Sequence, residues 1–175
     1  YESAILHQMA VIYAQQGQVD QAIALYQQSL EINESIGNVR DKATTLHCMA
    51  IIYAQQGQVD QAISLYQQSV EIKDRIGDVQ GKAATLHCMA MIYADQGQVE
   101  QAIALYQQSL EINERIGNVQ TKANTLANMG VLLANNGDFQ TAISYLQESL
   151  TILQHLKSPD AATVQSWLEQ VTRKK

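Results

Sequence analysis

One stretch of this chain occurs four times, and its spacing limits what the chain can fold into. YAQQGQVDQAISLYQQSVEI begins at Tyr53. It also begins at Tyr13, with Ala24 for Ser64 and Leu30 for Val70, again at Tyr93, and in a worn form at Leu133. The start points fall 40 residues apart. A fixed period of this size marks stacked supersecondary units, none of which can bury its apolar face alone.

The second repeat shows the local design. Gly37-Asn38 breaks one helix and starts the next: Gly suits the left-handed C-terminal position and Asn the N-cap. Gly77-Asp78 and Gly117-Asn118 repeat the device. Leu46, Met49, Ala50 and Tyr53 then recur at i, i+3, i+4, i+7, one apolar helical face. Gly57-Gln58 interrupts it, and Val59, Ala62, Ile63, Tyr66, Ser69 and Val70 form a second such face. Each repeat therefore reads as two antiparallel helices, helix A from about Val39 to Gln56 and helix B from about Val59 to Ile76. Alanine at 10, 50 and 90, and at 22, 62 and 102, lets the helices approach closely.

The fourth pair departs from this pattern. Leu133 and Leu146 stand where the earlier repeats have Tyr, and Phe139 replaces the turn valine. Ser158-Pro159 then opens a last helix, with Ser as N-cap and Pro at the first helical position. Val164, Trp167, Leu168 and Val171 make its dry side, and Gln165, Ser166, Glu169, Gln170 and Thr172 its wet side, as a terminal cap requires. Trp167 reads as a packing anchor. The expectation is an all-α array of helix pairs at about 1–36, 38–76, 78–116 and 118–157, with a capping helix at about 159–173. Tyr1 already aligns with Asp41 inside a repeat, so the sequence is expected to be part of a longer protein.

Charge excludes some classes of partner. The formal net charge is −6 and the pI about 5.1, which argues against nucleic acid or an anionic membrane surface. No apolar run approaches the roughly 20 residues of a membrane span. Cys48 and Cys88 form no CxxC pair and read as small, reduced residues of a cytoplasmic protein. No metal or cofactor is expected.

Leu46, Met49-Ala50, Tyr53, Ala62, Tyr66 and Ser69, with Gly57 at the turn, resemble the tetratricopeptide repeat, and the pattern holds in all four repeats. The period is 40 rather than 34, and Asp74 stands where that family has its helix-breaking Pro. This is similar to the extended type found in kinesin light chains, spindle-orientation adaptors and bacterial regulatory proteins. The resemblance implies a right-handed superhelical solenoid serving as a non-catalytic protein-interaction scaffold, with helix A lining the inner, concave face.

Carried over residue by residue, that face holds Thr44, His47, Ile51 and Gln55, then Ala84, His87, Met91 and Asp95. The outer repeats add Ala4, His7, Val11 and Gln15, and Asn124, Ala127, Val131 and Asn135. His7, His47 and His87 form a ladder that stops at Ala127. Successive helix layers lie roughly 8–10 Å apart, too far to converge on one zinc ion. Two readings of the ladder stay open: local hydrogen bonding inherited by repeat duplication, or contact with a bound peptide backbone. The expected ligand is an extended or helical segment with apolar anchors, and Asp95 favours a basic residue in it. The alternative is self-assembly, by end-to-end stacking or helix exchange through the N-terminal helix with Tyr1, Ile5 and Ile12, in an oligomeric regulatory protein.

Overall fold

A computed structural model describes residues 1–174, and every regular element among them is an α-helix. The helices are α1 (Glu2–Gln15), α2 (Val19–Ser35), α3 (Val39–Gln55), α4 (Val59–Arg75), α5 (Val79–Asp95), α6 (Val99–Ile116), α7 (Val119–Asn135), α8 (Phe139–His155) and α9 (Asp160–Lys174). Helices A and B of the second repeat end one residue earlier than the periodicity predicts. The last helix begins at Asp160, just after Pro159, and Ser158 Oγ accepts from the Asp160 N–H at 3.3 Å.

The caps follow from local chemistry. Asn38 Oδ1 accepts from the Asp41 N–H and Asn118 Oδ1 from the Thr121 N–H, both at 3.2 Å. At the preceding helix end, Gly37 has φ +70°, and the Asn38 N–H reaches back to the Asn33 carbonyl at 2.8 Å. The equivalent residue in the fourth pair is Lys157, which takes φ +53° despite its Cβ. The same back-bond survives there, from the Ser158 N–H to the Leu153 carbonyl at 2.9 Å.

The chain forms two compact units, one from Tyr1 to Thr85 and one from Leu86 onward. In the first, α1 pairs with α2 and α3 with α4, while α2 packs on α3. Ala43, Leu46 and Ile72 form a core against which Leu30, Leu65 and Ile76 pack. Ala10, Ala22, Ala50 and Ala62 are wholly buried, as close helix approach demands. The small residue of helix B has a second duty besides bulk. Ser29 Oγ donates to the Ser3 carbonyl at 2.9 Å and Ser69 Oγ to the Ala43 carbonyl at 2.7 Å, tying helix B to helix A.

In the second unit α6 packs on α7, α7 pairs with α8, and α9 lies on α8 and touches α7. Ala90, Ala102, Tyr106, Met129 and Leu132 make one core. Ala123, Ala142, Leu146, Leu153, Val164 and Val171 belong to another, with Trp167 and Leu168 packed against it. The dry side of α9 therefore sits where its pattern predicts. No helix among the described residues is long and apolar enough to cross a membrane.

Candidate protein-binding face

The histidine ladder is built into the packing. His7 Nδ1 lies 3.1 Å from Thr45 Oγ1, His47 Nδ1 3.0 Å from Thr85 Oγ1, and His87 Nδ1 3.0 Å from Thr125 Oγ1. Thr85 and Thr125 donate their own hydroxyl protons to the Gly81 and Thr121 carbonyls, at 2.9 Å each. Their Oγ1 atoms must then accept, so His47 and His87 carry the proton on Nδ1 and keep a lone pair on Nε2. Asn128 Nδ2 donates to that lone pair of His87 at 3.1 Å. Each ring also stands edge-on to a helix B tyrosine: His7 on Tyr26 at 5.1 Å, His47 on Tyr66 and His87 on Tyr106 at 5.3 Å.

This geometry accounts for the end of the ladder. At Ala127 the tyrosine's place is taken by Leu146, and Gln165 stands where the next threonine would be. Of the two readings, local hydrogen bonding is the one the contacts supply. Electrostatics agree with it. Burial lowers the pKa of His7 and His87, and burial together with the Lys73 charge lowers His47 to about 4. All three are neutral at pH 7, as one donating and one accepting nitrogen require. The Cys48 thiol is pushed up by burial, away from nucleophilic use. Among the described residues no group of three His, Cys, Asp or Glu side chains could hold a metal ion.

The helix A residues do form hollows. In the first unit, His7 and Thr44 line a cleft of about 190 Å³ between α1, α2 and α3, together with Asn33, Asp41 and Thr45. Ile51 is half-buried and Gln55 and Ala84 are exposed, outside that cleft. In the second unit, Met91, Asp95, Val131 and Asn135 line a hollow of about 230 Å³. His87, Asn124 and Ala127 line a second of about 250 Å³. Asn128 and Trp167 border both.

A family model described as Tetratricopeptide repeat matches residues 1–75 and 81–155. The chain belongs to the tetratricopeptide repeat family. Its fold is that of solved tetratricopeptide-like structures. It is similar to BtubC (BKLC) from P. vanneervenii, at TM-score 0.81 and 21% identity, over 89% of this chain and 64% of that one. It is also similar to a Podosopora anserina kinesin light chain candidate with nearly identical TPR-like repeats, at 0.80 and 23%, over 99% and 87%. RapI in its apo form matches at 0.91 and 16%, over 99% and 64%. The chain thus spans less than two thirds of BtubC and of RapI. No curated protein matches it by sequence.

Within this tetratricopeptide array, sequence reasoning missed Asn128, Asn33 and the place of Trp167 at the edge of both hollows. Asn128 lies one residue past the expected face position Ala127, and its bond to His87 spans two repeats. Trp167 packs on the last core, as its place on the dry face of α9 predicts, yet it stays half-buried and borders both hollows. The available signal was its aromatic bulk on a short helix that is otherwise lined by valine and leucine.

Proposed function

We propose that this tetratricopeptide array is a non-catalytic scaffold whose helix A face takes a peptide or helical segment of a partner protein. The observation that supports this best is the pair of adjoining hollows in the second unit. They join Met91, 44% exposed, with Val131 and Trp167 as apolar walls, and set Asp95, Asn124 and Asn135 among them. Apolar anchors with a few directed polar groups are what a helix-in-groove or extended-peptide site needs. Asp95 and Asp160, one at each hollow, favour basic flanks on the ligand. Trp167 and Met91 are the expected anchors, because buried aromatics dominate such interfaces.

A displayed random-peptide library tests this. Selection should enrich peptides carrying two apolar anchors and a flanking Lys or Arg. Met91→Glu or Trp167→Ala should weaken them about tenfold or more. Gln107→Glu, on an exposed helix B face, should leave them unchanged. Peptides that bind equally to the Met91 and Trp167 variants would refute the site.

A second reading, self-association through α1, rests on a different observation. Ile5, Met9 and Ile12 are 60%, 39% and 52% exposed, whereas Thr45, Met49 and Ile52 at the same repeat positions are 0%, 4% and 4% exposed. A mass that rises with concentration in light scattering, and that Ile5→Lys restores to monomer, would favour it.

A further inference from the structure

The cleft between α1, α2 and α3 holds an oxygen that has no donor. Asn33 is 1% exposed, and its Oδ1 has no hydrogen-bond partner among the described residues. Its amide orientation follows from its neighbour. Ser29 Oγ gives its proton to the Ser3 carbonyl, which leaves that hydroxyl to accept from Asn33 Nδ2 at 3.5 Å. Asn113 occupies the same place two repeats on and turns its Nδ2 the same way, to the Ser109 carbonyl at 2.8 Å. In the first repeat Oδ1 is thus the free end of a side chain that lines the cleft. A buried acceptor left unpaired is costly, so the arrangement calls for a donor.

The second repeat shows which donor fits. Lys73 stands there in place of Asn33, is 6% exposed, and donates from Nζ to Thr85 Oγ1 at 2.8 Å. Thr85 Oγ1 accepts from both Lys73 and His47, using both lone pairs. Thr45, its counterpart, meets only His7 among the hydrogen bonds described, so at least one lone pair remains. The position that is Gly81 at the Lys73 site is Asp41 at the Asn33 site, and Asp41 lines the cleft. One Asp41 oxygen takes Asn38 Nδ2 at 2.7 Å, and a carboxylate has further acceptor sites. No lysine or arginine lines the cleft, and burial keeps His7 neutral at pH 7. The Asn113 site has Thr121 rather than an acid at this position, so the acidic version belongs to the Asn33 site.

We propose that this cleft receives a primary ammonium group from another molecule, the lysine side chain of a bound segment, held by Asn33 Oδ1, the Asp41 carboxylate and Thr45 Oγ1. The volume of about 190 Å³ exceeds what one water needs and falls short of the roughly 300–1,000 Å³ of pockets that take whole small ligands. It suits the end of a side chain. The ammonium site stands on its own geometry. Only the assignment of its source to a peptide rests on the reading of the helix A face.

The test uses n-butylammonium chloride as the probe, with n-butanol as the uncharged control, read on the Asn33 side-chain amide by NMR. Butylammonium should give a saturable shift and butanol none. Asp41→Asn should weaken binding about tenfold, the loss of one charge-assisted bond. Asn33→Lys, followed on the Asp41 backbone amide because this variant lacks the Asn33 side-chain amide, should abolish it, since the chain then supplies its own ammonium as in the second repeat. If that variant fails to fold, Asp41→Asn carries the test. No saturable shift, an equal shift with butanol, or undiminished binding by Asp41→Asn would overturn the site. A library-selected peptide whose lysine is replaced by norleucine should bind about tenfold more weakly. An unchanged affinity there overturns the lysine assignment, whereas failure to select any peptide counts against the helix A reading and leaves the butylammonium result intact.

Discussion

Gly130 and Leu146 illustrate how far single residues in this chain depend on one another. A Cβ built on Gly130 would lie 2.8 Å from Leu146 Cγ and 3.1 Å from the Ala142 carbonyl oxygen. The earlier repeats hold Ala and Tyr at these two places, as with Ala90 and Tyr106 in one core. Both side chains branch at Cγ, but the tyrosine ring is flat there and can turn its face to the alanine methyl, whereas the tetrahedral Cγ of leucine and its methyls fill that space. Gly130→Ala alone should therefore destabilise the second unit by about 1–3 kcal/mol through overpacking. Gly130→Ala with Leu146→Tyr should recover much of that loss, and a double-mutant cycle in urea reads the coupling. Additive losses would remove the explanation. Periodicity shows that positions 130 and 146 changed together, but not that they touch. The histidine bonds were hidden for the same reason. His47 and Thr85 are 38 residues apart, and only the stacking register of successive repeats brings them within reach.

At the scale of elements the sequence was legible almost to the residue. Helix ends up to Gly137 are marked by paired signals, Gly then Asn, Asp or Gln, repeated often enough to correct one another. The clearest single-element inference concerns α9. Its dry side was read from Val164, Trp167, Leu168 and Val171, and Val164 and Val171 are indeed 2% and 7% exposed. Val164 shares a core with Leu146 and Leu153, both fully buried. Val164→Ala should cost about 1–3 kcal/mol, from two lost methyl groups and the cavity left behind. Gln165→Ala, on the exposed side, should change stability by less than about 0.5 kcal/mol. Thermal melts of the two variants check this, and equal effects would mean that α9 is not seated as described. The place of Trp167 at the hollows was less legible, because a tryptophan that packs and also lines a hollow has the same sequence pattern as one that only packs.

For the molecule as a whole, the ladder links stability to pH, and the sign follows from its neutral histidines. An unfolded histidine protonates near pH 6.5, while His47 in the fold resists until about pH 4. Between these values the unfolded chain binds more protons, so stability falls as pH drops through that window. His47 alone contributes on the order of 3 kcal/mol over the full window, and His7 and His87 shift in the same direction. Ordinary carboxylate pKa values lie below pH 5, so urea midpoints compared between pH 7 and 5 read chiefly the histidine effect. The midpoint should drop in the parent chain and drop less in His47→Gln, where no proton can be taken up. The two units carry unequal shares: His7 and His47 lie in the first and His87 in the second. Hydrogen exchange at pH 5 should therefore show α1 to α4 losing more protection, relative to pH 7, than α7 and α8. Equal losses in both units, or an unchanged midpoint shift in His47→Gln, would mean that the fold's acid sensitivity lies outside the ladder.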